Sequence, residues 1–302
     1  MCRPVGGIGP LATGRPVRSV SRERECPPTV ACEPGYLVAV SERQSEKGSR
    51  FRALHEGEPF LIPNPWDVGS ARLIESLGFE ALASSSAALA FSHGGKDGDA
   101  TLDEVVEHAG AVDRATDLPL SVDLENGYGP EPEDAALAVE RAAEAGAVGG
   151  SIEDYDPAGR IYDVGHAVER VAAAAEVARR LDFEFTFTAR AENHIRGNPD
   201  LDDTIARLQA YEAAGADVLY APGLTGGEQV RAVREATGLP LNVLAFAGLD
   251  LAEMIAAGAQ RVSVGSGLAW TAYESMAAAA EAMRDRGDLS GLLPPARVAK
   301  LP

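Results

Sequence analysis

From Phe60 onward the chain repeats one pattern. A short apolar run ends in polar or Gly/Pro residues, and an alanine-rich segment with apolar positions at helical spacing follows. The apolar runs predict strands over 60–64, 81–86, 118–123, 148–153, 184–189, 217–221, 240–245 and 261–265. Between them the pattern predicts helices, among them Asp67–Leu77, Pro132–Ala145, Val164–Leu181, Leu201–Ala214, Gly227–Thr237 and Leu251–Ala257. Several of these helices run into the same punctuation: Leu77-Gly78-Phe79, Ala145-Gly146-Ala147, Ala214-Gly215-Ala216 and Ala257-Gly258-Ala259. Glycine just past a helix takes the left-handed cap conformation cheaply. Strand, helix, glycine cap and strand, repeated to eight strands, predicts an α/β fold of the (β/α)8 TIM-barrel type. A doubly wound open sheet would carry a glycine-rich phosphate turn after its first strand. Here that strand leads into Pro63-Asn64-Pro65-Trp66-Asp67 instead. A last helical stretch, Thr271–Arg284, packs on the barrel or on a neighbouring subunit.

Composition sets the boundary of this unit. Residues 1–50 carry a net charge of +3 and are rich in Pro, Gly, Arg and Ser, whereas the remainder carries −22. The first stretch is expected to be a disordered extension, and residues 51–302 the catalytic barrel. It has no apolar core of a secretory signal, its acidic residues argue against a transit peptide, and no run approaches the ~18 apolar residues of a membrane span. The three cysteines, Cys2, Cys26 and Cys32, all lie in the extension. The barrel therefore has no disulfide, thiol nucleophile or thiolate ligand, which fits a reducing cytoplasm. Its acidity disfavours nucleic acid and anionic membrane as partners.

In a barrel of this type the chemistry sits at the C-terminal strand ends. Those ends read Asn64; Ser84, Ser85 and Ser86; Asp123 and Glu125; Glu153 and Asp154; Arg190 and Glu192; Asn242. Asp123 and Glu125, in Val122-Asp-Leu-Glu-Asn-Gly-Tyr-Gly129, are two residues apart and so face the same way. Paired carboxylates repel unless a cation or a proton lies between them. With Glu153 on the next strand, about 4.8 Å away, they can surround one hard divalent ion, directly or through its waters, with Mg2+ first and Mn2+ as the alternative. Any one of these acids alone reads first as a helix cap or a surface ion-pair partner; the three together, with Gly-Tyr-Gly after the pair, read as a site. Arg190 presents a planar fork suited to a carboxylate or phosphate, and Asn242, Ser85 and Ser86 offer hydrogen bonds to a substrate. Asp97, in the polar loop Phe91–Asp103, can reach metal-bound water. The loop Tyr155–Gly165 reads as a lid, with Gly159 for mobility and Arg160 or Tyr162 closing on substrate. His93, His166 and His194 show no zinc spacing and are expected to be structural. Val264-Gly265-Ser266-Gly267 is a weak phosphate-loop candidate.

These residues resemble the isocitrate lyase/phosphoenolpyruvate phosphonomutase superfamily over roughly residues 52–285. The likeness rests on Asp123-Leu-Glu125-Asn-Gly-Tyr-Gly129, Ser151-Ile-Glu153-Asp154, Thr188-Ala-Arg190 and Lys96-Asp97-Gly98, in that family's order along the strands. The resemblance implies Mg2+ holding a 2-oxo acid or its enolate. It implies Asp123 as direct ligand, and Asp97, Glu125 and Glu153 on metal-bound waters. It implies Arg190 on the substrate carboxylate or the developing charge, and Ser85, Ser86 and the Ala87 amide gripping the carboxylate. It also implies a last helix exchanged between subunits in a dimer of dimers. One departure stands out. The cysteine-bearing loop of isocitrate and methylisocitrate lyases is here Ala158-Gly-Arg160-Ile-Tyr162-Asp-Val-Gly165-His166. The mutase's Lys-x-Asn loop is missing too. The expectation is a Mg2+-dependent carbon–carbon lyase, or a related hydrolase or decarboxylase, acting on a small 2-oxo or 2-hydroxy acid. The alternatives are a C–P phosphonomutase or phosphonopyruvate hydrolase, and a non-catalytic barrel that binds a dicarboxylate.

Overall fold

The computed structural model describes residues 34–294, 299 and 301, with side chains from Glu42 onward. The elements run α1 (Pro34–Glu56), β1 (Phe60–Ile62), α2 (Val68–Ser76), β2 (Leu82–Ala83), α3 (Ser86–Ser92), α4 (Leu102–Ala115), β3 (Leu120–Asp123), α5 (Pro132–Glu144) and β4 (Gly149–Glu153). They continue with β5 (Tyr155–Asp156), β6 (Arg160–Ile161), α6 (Val164–Arg180), β7 (Thr186–Arg190), α7 (Leu201–Ala214), β8 (Val218–Tyr220), α8 (Gly227–Ala236), β9 (Leu241–Leu244), α9 (Leu251–Ala256), β10 (Arg261–Ser263) and α10 (Gly267–Arg286).

Eight of these strands form one parallel sheet in the order β1-β10-β9-β8-β7-β4-β3-β2. At its seam the Ala83 N–H donates to the Pro63 carbonyl at 3.1 Å. Asn64 reinforces the join: its amide donates to the Ser84 carbonyl at 3.0 Å and accepts from the Val264 N–H at 3.0 Å. The eight expected strands and the (β/α)8 order are thus present. The expected glycine caps follow their helices with left-handed backbones, φ +85° at Gly78, +104° at Gly146, +109° at Gly215 and +110° at Gly258. The alanine-rich faces find their use in packing. Ala135, Ala138, Ala142 and Ala143 of α5, and Ala167, Ala174, Ala175 and Ala178 of α6, are all buried, and small side chains let two neighbouring helices lie close on the sheet.

Three departures have local causes. The second strand ends at Ala83 rather than at residue 86, because Ser85 turns into an N-cap whose hydroxyl accepts from the Ala88 N–H at 3.3 Å and starts α3. The lid region holds a short antiparallel hairpin, β5 with β6, pivoting on Gly159 at φ +92°. The boundary expected at residue 50 falls inside α1. Residues 42–50 are anchored mainly by polar side chains, which apolar periodicity does not register. Lys47 bonds the Asp113 carboxylate at 2.7 Å and the Thr116 carbonyl at 2.9 Å. Gln44 donates to the Ala143 and Ala147 carbonyls at 2.7 and 3.0 Å. The three cysteines lie outside the described residues.

The last turns of α1 close the barrel at the end opposite the strand C-termini. Phe51, fully buried, packs with Phe60, Ile62, Ala81 and Val148. Gly149 is required there, since a Cβ would lie 2.7 Å from the Phe51 ring. His55 donates from Nδ1 to the Phe51 carbonyl at 2.8 Å and accepts at Nε2 from Arg261 at 3.2 Å. Burial and the Arg261 charge push its pKa down to about 3, so it stays neutral. We predict that Phe51→Ala lowers stability by about 3–5 kcal/mol, the usual cost of emptying a buried phenylalanine site. Urea unfolding measures this, and a loss under ~1 kcal/mol would show that α1 is not part of the core.

Candidate active site

The strand C-termini surround a cavity of about 1070 Å3. Among the residues lining it are Ser84, Ser85, Ser86, Asp97, Asp123, Glu125, Glu153, Arg190, Glu192 and Arg196. At its centre stands Arg190, the last residue of β7, in register with Glu153 of β4. Its Nη1 lies 2.8 Å from Asp123 Oδ1. Its Nη2 lies 2.9 Å from Glu153 Oε2 and 2.7 Å from Glu192 Oε1. The guanidinium also lies over the Tyr220 ring, 5.1 Å from its centre. Burial opposes the arginine's charge, but Glu192, Glu153 and Asp123 outweigh it and hold the group firmly protonated. Glu153 itself, with 7% of its surface exposed, has its pKa pushed well above the ordinary value, by burial first and by Glu192 next. Arg196 adds a second cation, 3.1 Å from Glu192 Oε2 and 3.6 Å from Glu153 Oε1, and stacks on the Tyr155 ring at 4.0 Å.

Asp123 ends β3 with both oxygens engaged. Oδ2 accepts from the Ser86 N–H at 3.1 Å and the Ser86 hydroxyl at 2.9 Å. The Asp123 N–H is bonded to Ser84 Oγ at 2.9 Å. Beyond it the chain turns sharply: Glu125 and Tyr128 adopt φ of +47° and +62°, the left-handed region that costs a non-glycine residue energy. Gly127, at φ +86°, has no alternative, because a Cβ would lie 2.7 Å from the Ala135 backbone. The strained turn is held from behind. Asn126 donates to the Tyr162 hydroxyl at 3.0 Å, and its carbonyl accepts from buried Arg170, whose guanidinium sits 4.8 Å from the Tyr162 ring centre. The result places Glu125 at the cavity with Oε1 buried and without a hydrogen-bond partner. Burial, then the Asp123 charge, raises its pKa to about 7.

The structure thus brings Asp123, Glu125, Glu153, Arg190, Asp97, Ser85, Ser86, Ala87 and Asn242 to one cavity. Asp97 lies on its exposed loop. Ser85 Oγ sits 3.1 Å from Ser266 Oγ, which joins the second and eighth strand ends. Asn242 is at the cavity floor, accepting from Arg261 at 2.8 Å and donating to Ser263 at 3.0 Å. Arg160 is not brought in: it pairs with Asp156 at 2.8 Å on the outside of the hairpin and is 77% exposed. Tyr162 is spent on Asn126 and does not line the cavity. Asp154 faces away from the cavity, accepting from Arg207 at 3.0 Å and Tyr211 at 2.5 Å, and from the Glu192 N–H at 2.8 Å, so it positions Glu192. The three expected structural histidines lie off the cavity; His166, for example, bonds the Pro130 carbonyl at 2.7 Å. Arg196 was not singled out from the sequence, although its place four residues after Glu192 is a usable signal.

The carboxylates do not form a ready cage. Among the described residues no group of three His, Cys, Asp or Glu side chains converges as direct ligands, because Arg190 stands between Asp123 and Glu153. The donor set still suits a hard divalent ion bound partly through water. It consists of carboxylate oxygens, and Glu125 Oε1 is buried without a partner.

Comparison with known proteins places the chain. The family model described as phosphoenolpyruvate phosphomutase matches residues 51–284. The chain belongs to this family, within the isocitrate lyase/PEP mutase enzyme superfamily. It is 34% identical to an oxaloacetate decarboxylase from Paraburkholderia xenovorans, over 73% of this chain and 74% of that protein. It is 31% identical to a 2-methylisocitrate lyase from Halalkalibacterium halodurans, over 68% and 70%. A structure of a Burkholderia cenocepacia J2315 protein, assigned by similarity as a lyase/mutase, superposes with a TM-score of 0.83 at 47% identity, covering 86% of this chain and 96% of that one. A phosphonopyruvate hydrolase with the same fold, 22% identical at a TM-score of 0.75 over 84% and 94% of the two chains, was solved with oxalate and Mg2+.

The raised Glu125 pKa gives a signed prediction. The fold favours the neutral carboxyl, so its contribution to stability is complete below the ordinary pKa of 4.5 and is lost as pH rises through about 7. In EDTA, wild-type stability should therefore fall relative to Glu125→Gln across that window. Urea midpoints that run parallel for the two proteins would contradict this.

Proposed function

We propose that this chain is a Mg2+-dependent lyase, or a related hydrolase or decarboxylase, acting on a 2-oxo or 2-hydroxy carboxylic acid through an enolate. The observation that carries this reading is Arg190, held rigidly by Asp123, Glu153 and Glu192 at the wall of a cavity that also presents Ser85, Ser86 and the Ala87 amide. Breaking a bond next to a 2-oxo group leaves charge on the enolate oxygen. A fixed guanidinium attracts that oxygen more strongly as the charge grows, which lowers the barrier. At the start of α3, Ser85 and the Ala87 N–H orient the substrate carboxylate, while Ser86 keeps its N–H and hydroxyl on Asp123. Asp123, with Glu125, Glu153 and Asp97 around it, would hold a divalent ion, which when bound would supply positive charge to offset negative charge developing on the substrate.

The loop from Tyr155 to Gly165 carries no cysteine, so the reading invokes no thiol as acid or base. Tyr155, stacked on Arg196, ties the hairpin to the carboxylate network and supports a lid role for it. A homo-oligomer, with α10 lying on a second copy, fits the exposure of Met276 and Met283 on that helix. An acidic, cysteine-free barrel with no membrane-crossing helix among the described residues is in keeping with cytoplasmic work on a small anion.

The test is a screen of 2-oxo and 2-hydroxy di- and tricarboxylates that detects pyruvate, glyoxylate and oxalate, with phosphonopyruvate included. Turnover should vanish in EDTA and return with Mg2+ or Mn2+. Asp123→Ala should reduce it by at least about 10²-fold. Release of inorganic phosphate from phosphonopyruvate would favour the C–P reading, which the family description also suggests. No turnover of any acid, with the metal present, would leave only a binding role.

A further inference from the structure

The cavity mouth has two unlike halves. Asp123, Glu125 and Glu153 come from β3 and β4 on one side. The opposite arc follows the sheet from β7 through β8, β9, β10 and β1 round to β2, and its outer rim carries four large apolar side chains above the polar strand ends. Ile195 stands after β7, Phe246 after β9, Trp270 in the first turn of α10 after β10, and Phe91 on α3 after β2. Ile195, Phe246 and Trp270 are 46%, 49% and 53% exposed. The Phe91 and Trp270 rings meet edge-on with centroids 5.0 Å apart. None of the four side chains belongs to the hydrophobic core or packs against it. One exposed apolar side chain on a surface is ordinary, but several converging from separate loops on one mouth mark a binding surface. Fold stability does not account for them.

The volume points the same way. A cavity near 1070 Å3 is of the size that encloses a drug-sized molecule, well beyond the needs of a three-carbon acid. The apolar arc is also continuous with the polar floor, whereas the exposed Met276 and Met283 further along α10 do not line the cavity. Resting on the lyase reading above, we infer that the substrate is a 2-oxo or 2-hydroxy acid bearing an apolar substituent of several carbons. Its carboxylate end lies at Ser85, the Ala87 N–H and Arg190. Its hydrocarbon lies against Ile195, Phe246, Trp270 and Phe91, which together set chain-length specificity.

The test uses binding, not turnover. Oxalate reports the polar floor alone. Pyruvate, 2-oxobutanoate, 2-oxopentanoate and 2-oxohexanoate, titrated calorimetrically in Mg2+, report the apolar arc. Each added methylene should tighten binding by about fourfold, the usual gain from burying one such group. In Phe246→Ala and in Trp270→Ala the gain per carbon should drop below about twofold, with oxalate binding showing that each variant is folded. A flat series in the wild-type protein that still binds oxalate overturns the inference and leaves the lyase reading standing. A slope that survives in both variants overturns the assignment of the arc. Failure of oxalate itself to bind in Mg2+ removes the lyase reading, and the inference falls with it.

Discussion

The geometry of this site depends on one guanidinium facing three carboxylates. Asp123, Glu153 and Glu192 reach the same small volume from β3, β4 and the end of β7, and without Arg190 they would repel one another in a largely buried setting. Arg190 and Arg196 together bring two positive charges to these three acids. Burial first, and then the neighbouring acids Glu192 and Asp123, raise the pKa values of Glu153 and Glu125. A cluster of carboxylates of this kind suits the divalent cation proposed above.

Around that centre the surrounding residues act mostly as positioning groups. Asp154, held by Arg207 and Tyr211, aims the backbone of Glu192. Arg170 and Tyr162 clamp the Asn126 turn, so the energy stored in the left-handed backbones of Glu125 and Tyr128 is offset by buried contacts behind them. The Phe51 plug and the His55–Arg261 contact pack the far end of the barrel, opposite the mouth.

Much of this was legible in the sequence, for identifiable reasons. The barrel was readable because its repeating unit is written in local terms: an apolar run, a helical alanine pattern and a glycine that alone tolerates the left-handed cap, as at Gly215. Asp123, Glu153 and Arg190 were readable because strand ends converge in a barrel whatever their loops do. Long-range side-chain competition was not. Nothing local says that Arg190 would stand between Asp123 and Glu153, that Asp154 would turn away toward Tyr211, or that Arg160 would be captured by Asp156 four residues before it. The α1 helix escaped notice for a related reason. Its anchoring at Lys47 and Gln44 is polar and reaches residues about seventy to a hundred positions away.

The most direct measurement is a crystal structure with Mn2+ and oxalate, using the anomalous signal of the ion. The expected result is one ion inside the cavity with Asp123 as a protein ligand, a water of that ion at the unpaired oxygen of Glu125, and Arg190 still engaged with Glu192. An ion held away from Asp123, or an oxalate bound with no ion at all, would contradict the claim that this ring of carboxylates exists to hold a metal.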